Sequence, residues 1–144
     1  MIRLYIPTLA IATFLVATPV YAGTVEVVLT DVRADAGDLY VSLQTEDQFL
    51  KEDGIAGRIV ANPQTGTVTV TLREVPDGRY SFTAWHDIDG DKRFSMGKMG
   101  PTDGWAMYKG GELRGMPTFA EQSFAVEGET VVREKMLYSD GRDR

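Results

Sequence analysis

Asp87, Asp89 and Asp91 stand at alternate positions in the run His86-Asp87-Ile88-Asp89-Gly90-Asp91-Lys92-Arg93-Phe94-Ser95. Carboxylates so spaced on a tightly curling chain converge. A hard cation such as calcium takes oxygens from positions 1, 3 and 5 of such a loop, a carbonyl from position 7 and a polar group or water from position 9. Counted from Asp87, these are Asp87, Asp89, Asp91, the carbonyl of Arg93 and Ser95, with affinity of the weak extracellular type. Lys92 stands where an EF-hand loop has its glycine, and Lys98 where it has its bidentate Glu, so a further carboxylate such as Asp103 would complete the shell. Lys92, Arg93 and Lys98 also oppose a divalent ion electrostatically. The same residues also suit an Asx-rich turn, whose carboxylates accept backbone N–H groups with no ion at all.

His86 is the single histidine. It reads as a partly buried ring hydrogen-bonded to Asp87, Asp103 or a loop carbonyl, as the general base of a small hydrolase centred on His86 and Asp87–Asp91, or as the imidazole of a copper site shared with Met96, Met99, Met107 and Met116. No Gly-x-Ser-x-Gly elbow, His-Glu-x-x-His pair or phosphate loop accompanies it. With no cysteine there is no disulfide framework, thiolate zinc site, iron–sulfur cluster or Cys nucleophile. A formal charge of -6 over 144 residues excludes a nucleic-acid partner, which requires a basic surface. Trp105 and Tyr108 lie in a long loop, 96–120, rich in Gly, Met and aromatic residues. With His86 they form a candidate platform for a glycan or protein ligand, or else they fold back over an open end of the domain.

Strands must position these groups. Val25, Val27 and Leu29, then Leu39, Val41 and Leu43, then Val68, Val70 and Leu72 alternate with polar residues, the pattern of half-buried antiparallel strands. Further strands are expected over 57–61, 79–87, 122–126 and 130–138, and a short helical turn within 46–53. Turn chemistry separates them at Asp35-Ala36-Gly37, Asn62-Pro63-Gln64-Thr65-Gly66, Pro76-Asp77-Gly78 and Glu127-Gly128. The expected fold is all-β, a single antiparallel β-sandwich of about seven strands.

Residues 1–22 read as an export signal: Arg3 is followed by the mostly apolar run 6–18 and by Val20-Tyr21-Ala22 at the cleavage site. The run falls short of the roughly 20 residues a membrane span needs, and Pro7 and Pro19 interrupt it. Residues 23–144 then form the mature domain, with 14 basic and 21 acidic residues and no membrane span, placed in the periplasm or secreted.

Leu72-Arg73-Glu74-Val75-Pro76-Asp77-Gly78-Arg79-Tyr80 resembles the hairpin of transthyretin-like (prealbumin-like) and carboxypeptidase-regulatory-like sandwich domains. Over nearly all of residues 24–138 the chain resembles the DUF2141 family, exported bacterial proteins of unknown function. The resemblance rests on Asp31-Val32-Arg33, Gly37-Asp38-Leu39-Tyr40-Val41, Val75-Pro76-Asp77-Gly78-Arg79-Tyr80, His86-Asp87-Ile88-Asp89-Gly90-Asp91 and Pro117-Thr118-Phe119 before a strand at Phe124. The family's stretch His-Asp-x-Asn/Asp-Gly-Asn/Asp-Gly-Lys-x-Asp maps onto His86, Asp87, Asp89, Gly90 and Asp91, with Lys92 and Ser95 replacing its second Gly and final Asp. Its Gly-Tyr-Gly-Phe-Ser-Asn-like stretch is replaced by Gly104-Trp105-Ala106-Met107-Tyr108-Lys109. The resemblance implies fold and export and no reaction. The expected function is an exported binding or accessory protein with a calcium-binding Asp loop, the hydrolase and the copper protein being the alternatives.

Overall fold

The computed structural model describes residues 22–34, 37–51 and 53–139. The export signal falls outside them except for Ala22, as do Asp35 and Ala36 of the first expected turn. The chain is mostly β with antiparallel pairing throughout, apart from one parallel pair. One sheet has three strands in the order β10 (Glu129–Lys135), β1 (Ala22–Val32) and β4 (Gly66–Pro76). The other runs β3 (Ala56–Val60), β2 (Leu39–Gln44), β5 (Gly78–His86) and β8 (Gly104–Met107), with β9 (Phe124–Val126) paired to the start of β5. A two-stranded ribbon joins β6 (Met96–Gly97) and β7 (Gly100–Pro101).

The alternating residues do what their period requires. Val25, Val27 and Leu29 of β1 and Val70 and Leu72 of β4 meet Leu39, Val41 and Leu43 of β2 and Phe82 and Ala84 of β5 in one buried cluster, so both sheets share a core. Tyr40, Trp85 and Trp105 occupy the intervening positions and face away from it.

Three expectations change. Pro76-Asp77-Gly78 is not a hairpin, because β4 pairs with β1 while β5 pairs with β2, so the turn carries the chain from one sheet to the other. Turn residues announce a reversal but leave the pairing to tertiary packing, and here the Tyr80 hydroxyl pins the corner by donating to the Pro76 carbonyl at 3.0 Å. Secondly, β10 runs parallel to β1, Val27 opposite Val132, a direction that alternation cannot encode. Finally, the stretch 96–120 is not one loop: it holds β6, β7, β8 and the 3-10 turn Gly110–Glu112. Its short strands are too glycine-rich to show a period. The helical turn expected within 46–53 is the 3-10 turn Glu46–Gln48.

Two segments, residues 45–55 and 108–123, lie against the outer face of the second sheet. Gln44 holds the first by donating from Nε2 to the carbonyls of Lys51 (2.6 Å) and Asp53 (3.2 Å) and accepting the Leu50 N–H. In the second, Gly110 lies against Trp105 and Met107, where a Cβ would stand 3.1 Å from both side chains. The segments touch where Phe49 meets Phe119 edge to face. They cover the part of the face that holds Gln44 and Ser81, and the second reaches the Trp105 ring.

Candidate functional site

Strand β5 ends at His86, whose side chain is 0% exposed. Its Nε2 lies 3.0 Å from the Gly37 carbonyl and its Nδ1 2.9 Å from the Tyr138 hydroxyl. A carbonyl can only accept, so Nε2 carries the proton, and in the neutral ring Nδ1 accepts from Tyr138. The Tyr138 oxygen in turn accepts the Arg33 N–H at 3.2 Å, and the Arg33 guanidinium lies 4.0 Å above the Tyr138 ring. Both nitrogens of His86 are thus occupied in a buried structural network. The thioethers of Met96, Met99 and Met116 point into solvent while Met107 is buried, so the methionines do not gather around the imidazole.

The chain next curls through the acidic run, with Gly90 (φ 75°) and Lys92 (φ 62°) in left-handed conformation. Lys92 adopts the backbone angle that a glycine takes freely, so the curl forms with a lysine at that position. Asp87 is buried and accepts the N–H of Gly90 on Oδ1 (2.8 Å) and of Lys92 on Oδ2 (3.0 Å). Asp89 and Asp91 are exposed, and each accepts the N–H two residues on, from Asp91 at 3.1 Å and from Arg93 at 2.8 Å. These are Asx turns. One oxygen from each of Asp87, Asp89 and Asp91 nonetheless lies within 4.8 Å of the others, so the three carboxylates converge as their spacing foretells.

Asp103, the further carboxylate that the sequence offers, holds the loop. It is 1% exposed and accepts the Ile88 N–H on Oδ1 (3.0 Å) and the Ser95 N–H on Oδ2 (2.8 Å), clasping the loop at both ends. Ser95 is turned toward this clasp, its carbonyl accepting the Thr102 N–H at 2.9 Å. Arg93 contributes its N–H to the Asp91 turn.

Crowded carboxylates leave an electrostatic mark. The Asp89 carboxyl accepts the Asp91 N–H, which pulls its pKa down, but desolvation and the charges of Asp91, Asp103 and Asp87 outweigh this and hold it above its ordinary value. The field reaches the sheet as well. Tyr40 is held above the usual phenol value by desolvation and then by Asp38 and Asp87.

Beside this loop, the outer face of the second sheet carries a row that sequence reasoning did not single out. Ile59 pairs with Tyr40, Tyr40 with Trp85 and Trp85 with Trp105, so four apolar side chains line up across four strands. The Tyr40 and Trp85 rings stack with centroids 4.0 Å apart and planes 2° from parallel. Ile59 is 58% exposed, and the three aromatic residues are half-buried. The signal lies in the alternation of β2 and β5, which turns Tyr40 and Trp85 outward once Val41 and Ala84 face in. Trp105 belongs to this row. Tyr108 does not, for its ring packs 5.3 Å from Phe124 against the core.

The chain is therefore a mostly-β protein with an acidic loop at one end of its second sheet and an aromatic row beside it. Residues 27–133 match the family described as "Uncharacterized protein conserved in bacteria (DUF2141)", and the chain belongs to that family. No curated protein and no solved structure matches it.

Proposed function

We propose that the protein is an exported binding or accessory module, periplasmic or secreted, built as a transthyretin-like β-sandwich and working through the outer face of its second sheet. The observation that supports this most is the row Ile59–Tyr40–Trp85–Trp105, set in register on rigid strands, with Ile59 exposed and the three aromatic residues half-buried. Aromatic rings on a rigid frame give large contact area at little entropic cost, which suits a glycan or a protein partner. His86, enclosed and engaged at both nitrogens, serves as a strut that fixes the end of β5. The acidic loop is the calcium site of this reading: an ion at the oxygens of Asp87, Asp89 and Asp91 would offset the repulsion that raises Asp89 and stiffen the rim of the row.

The test has two arms. Millimolar Ca²⁺ raises the thermal midpoint over EDTA, because an ion that binds only the folded state stabilises it by mass action, and Asp89→Ala removes the shift. Co-sedimentation with insoluble cell-envelope glycan is weakened about tenfold by Trp85→Ala, as for loss of a buried aromatic anchor. An unchanged midpoint retires calcium. Equal sedimentation of the two proteins retires the row as the glycan-binding surface.

A further inference from the structure

The second crossing segment roofs a cavity of about 750 Å³ at the opposite end of the same sheet from the acidic loop. That volume is ordinary for a small-molecule site. The floor is the start of β5 and β9, where Arg79 and Ala125 pair, and the roof is the chain around Leu113–Met116.

Cations collect here in a protein whose net charge is -6. Arg79, Lys109 and Arg114 all line the cavity, against two carboxylates, Glu112 and Glu121. The Arg79 guanidinium is held by Ser123, donating to Oγ (2.9 and 3.2 Å) and to the carbonyl (3.0 Å). Arg114 donates to the carbonyls of Leu113 (3.0 Å) and Glu112 (3.3 Å). The acceptors are neutral, and among the described residues neither guanidinium forms an ion pair with a carboxylate. Lys109 sits 5.4 Å over the Tyr108 ring. Both side chains are exposed, Ser123 holds that of Arg79, and neither charge is matched by an ion pair among the described residues, an arrangement that suits an oxyanion. The polar residues Gln122 and Ser123 and the face of Tyr108 complete the lining.

We infer that this cavity binds a small polar organic acid, its carboxylate met by Arg79 and Arg114 and its hydroxyl-bearing body, as in a sugar acid, lying against Gln122, Ser123 and Tyr108. The site is separate from the aromatic row and stands or falls without it.

The test is amide chemical-shift mapping with sodium glucuronate, its neutral counterpart glucose, and inorganic phosphate. Glucuronate is expected to shift the amides of residues 108–125 saturably, and glucose to leave them in place. Arg114→Gln, an exposed substitution, weakens glucuronate about tenfold or more, as expected for a lost charge-assisted hydrogen bond. Arg79→Lys, which keeps the charge but loses the fork, weakens it by a smaller factor. Equal shifts with glucose overturn the inference, as do no shifts at all. Phosphate binding tighter than glucuronate overturns the choice of a carboxylate. Shifts confined to Tyr40, Trp85 and Trp105 overturn the cavity while supporting the aromatic row.

Discussion

The two ends of β5 solve the problem of charge in opposite ways. At the His86 end, Asp87 and Asp103 are buried and each of their carboxylate oxygens accepts a backbone N–H, so these side chains shape the loop with or without an ion. At the Arg79 end, the exposed guanidiniums donate to neutral hydroxyl and carbonyl oxygens and meet no carboxylate among the described residues. Charge density alone is thus a poor guide to a ligand site. What also matters is how far partners of opposite charge or dipole already offset each charge.

The comparison breaks most directly at Gly104. A Cβ there would stand 2.3 Å from the Tyr138 ring, whose hydroxyl is held by His86 and the Arg33 N–H. Gly104→Ala is expected to cost about 3 kcal/mol in denaturant unfolding, near the upper range for overpacking. A loss below about 1 kcal/mol would show that the His86 end is softer than its hydrogen bonds suggest.

The clasp is the next test. Asp103→Ala strands the N–H groups of Ile88 and Ser95 and is expected to cost about 2 kcal/mol and to speed hydrogen exchange over 88–95. Asp89→Ala, at an exposed position with one local hydrogen bond, should leave the metal-free midpoint where it was. Equal effects of the two would erase the distinction between clasp and rim.

Lys92→Gly sharpens the same contrast by relieving the left-handed lysine, with a gain of about 0.5 kcal/mol after the greater entropy of glycine in the unfolded chain. A loss would mean that the Lys92 side chain supports the loop.

The smallest effect is in pH. Because the Asp89 pKa is raised in the folded protein, the fold holds that proton more tightly than the unfolded chain. This contribution is fully present below the ordinary carboxylate pKa and is lost as pH rises through the folded value. Calcium at the three carboxylates would pull the Asp89 titration, followed by carboxyl ¹³C shifts, back to lower pH. A titration unmoved by calcium counts against an ion at this loop.

Much of this architecture is legible in the order of residues alone. Alternation at 25–29, 39–43 and 68–72 locates strands and their inward faces, because period 2 follows from the backbone itself. Which strands pair is not legible, and so Pro76-Asp77-Gly78 passes for a hairpin and the parallel partner of β1 goes unseen. The three converging carboxylates can be read from spacing. Their employment is hidden, since a carboxylate caps a backbone N–H and ligates a cation with the same oxygens. Tyr40 and Trp85 are in plain view as residues, but a row across four strands exists only once the register is set. Arg79, Lys109 and Arg114 lie up to 35 positions apart in the sequence, and no local motif links them.

The place of β1 between β4 and β10 bears on how the molecule comes into being. The middle strand of its sheet is the first described, and one of that strand's two neighbours is the last. Until Glu129–Lys135 is available, β1 has an unsatisfied edge, and the core it shares with the second sheet lacks Val132 and Met136. Such long-range closure makes for slow, late folding. A chain that commits to its native form only when β10 arrives stays open, and threadable, until Glu129–Lys135 has been made.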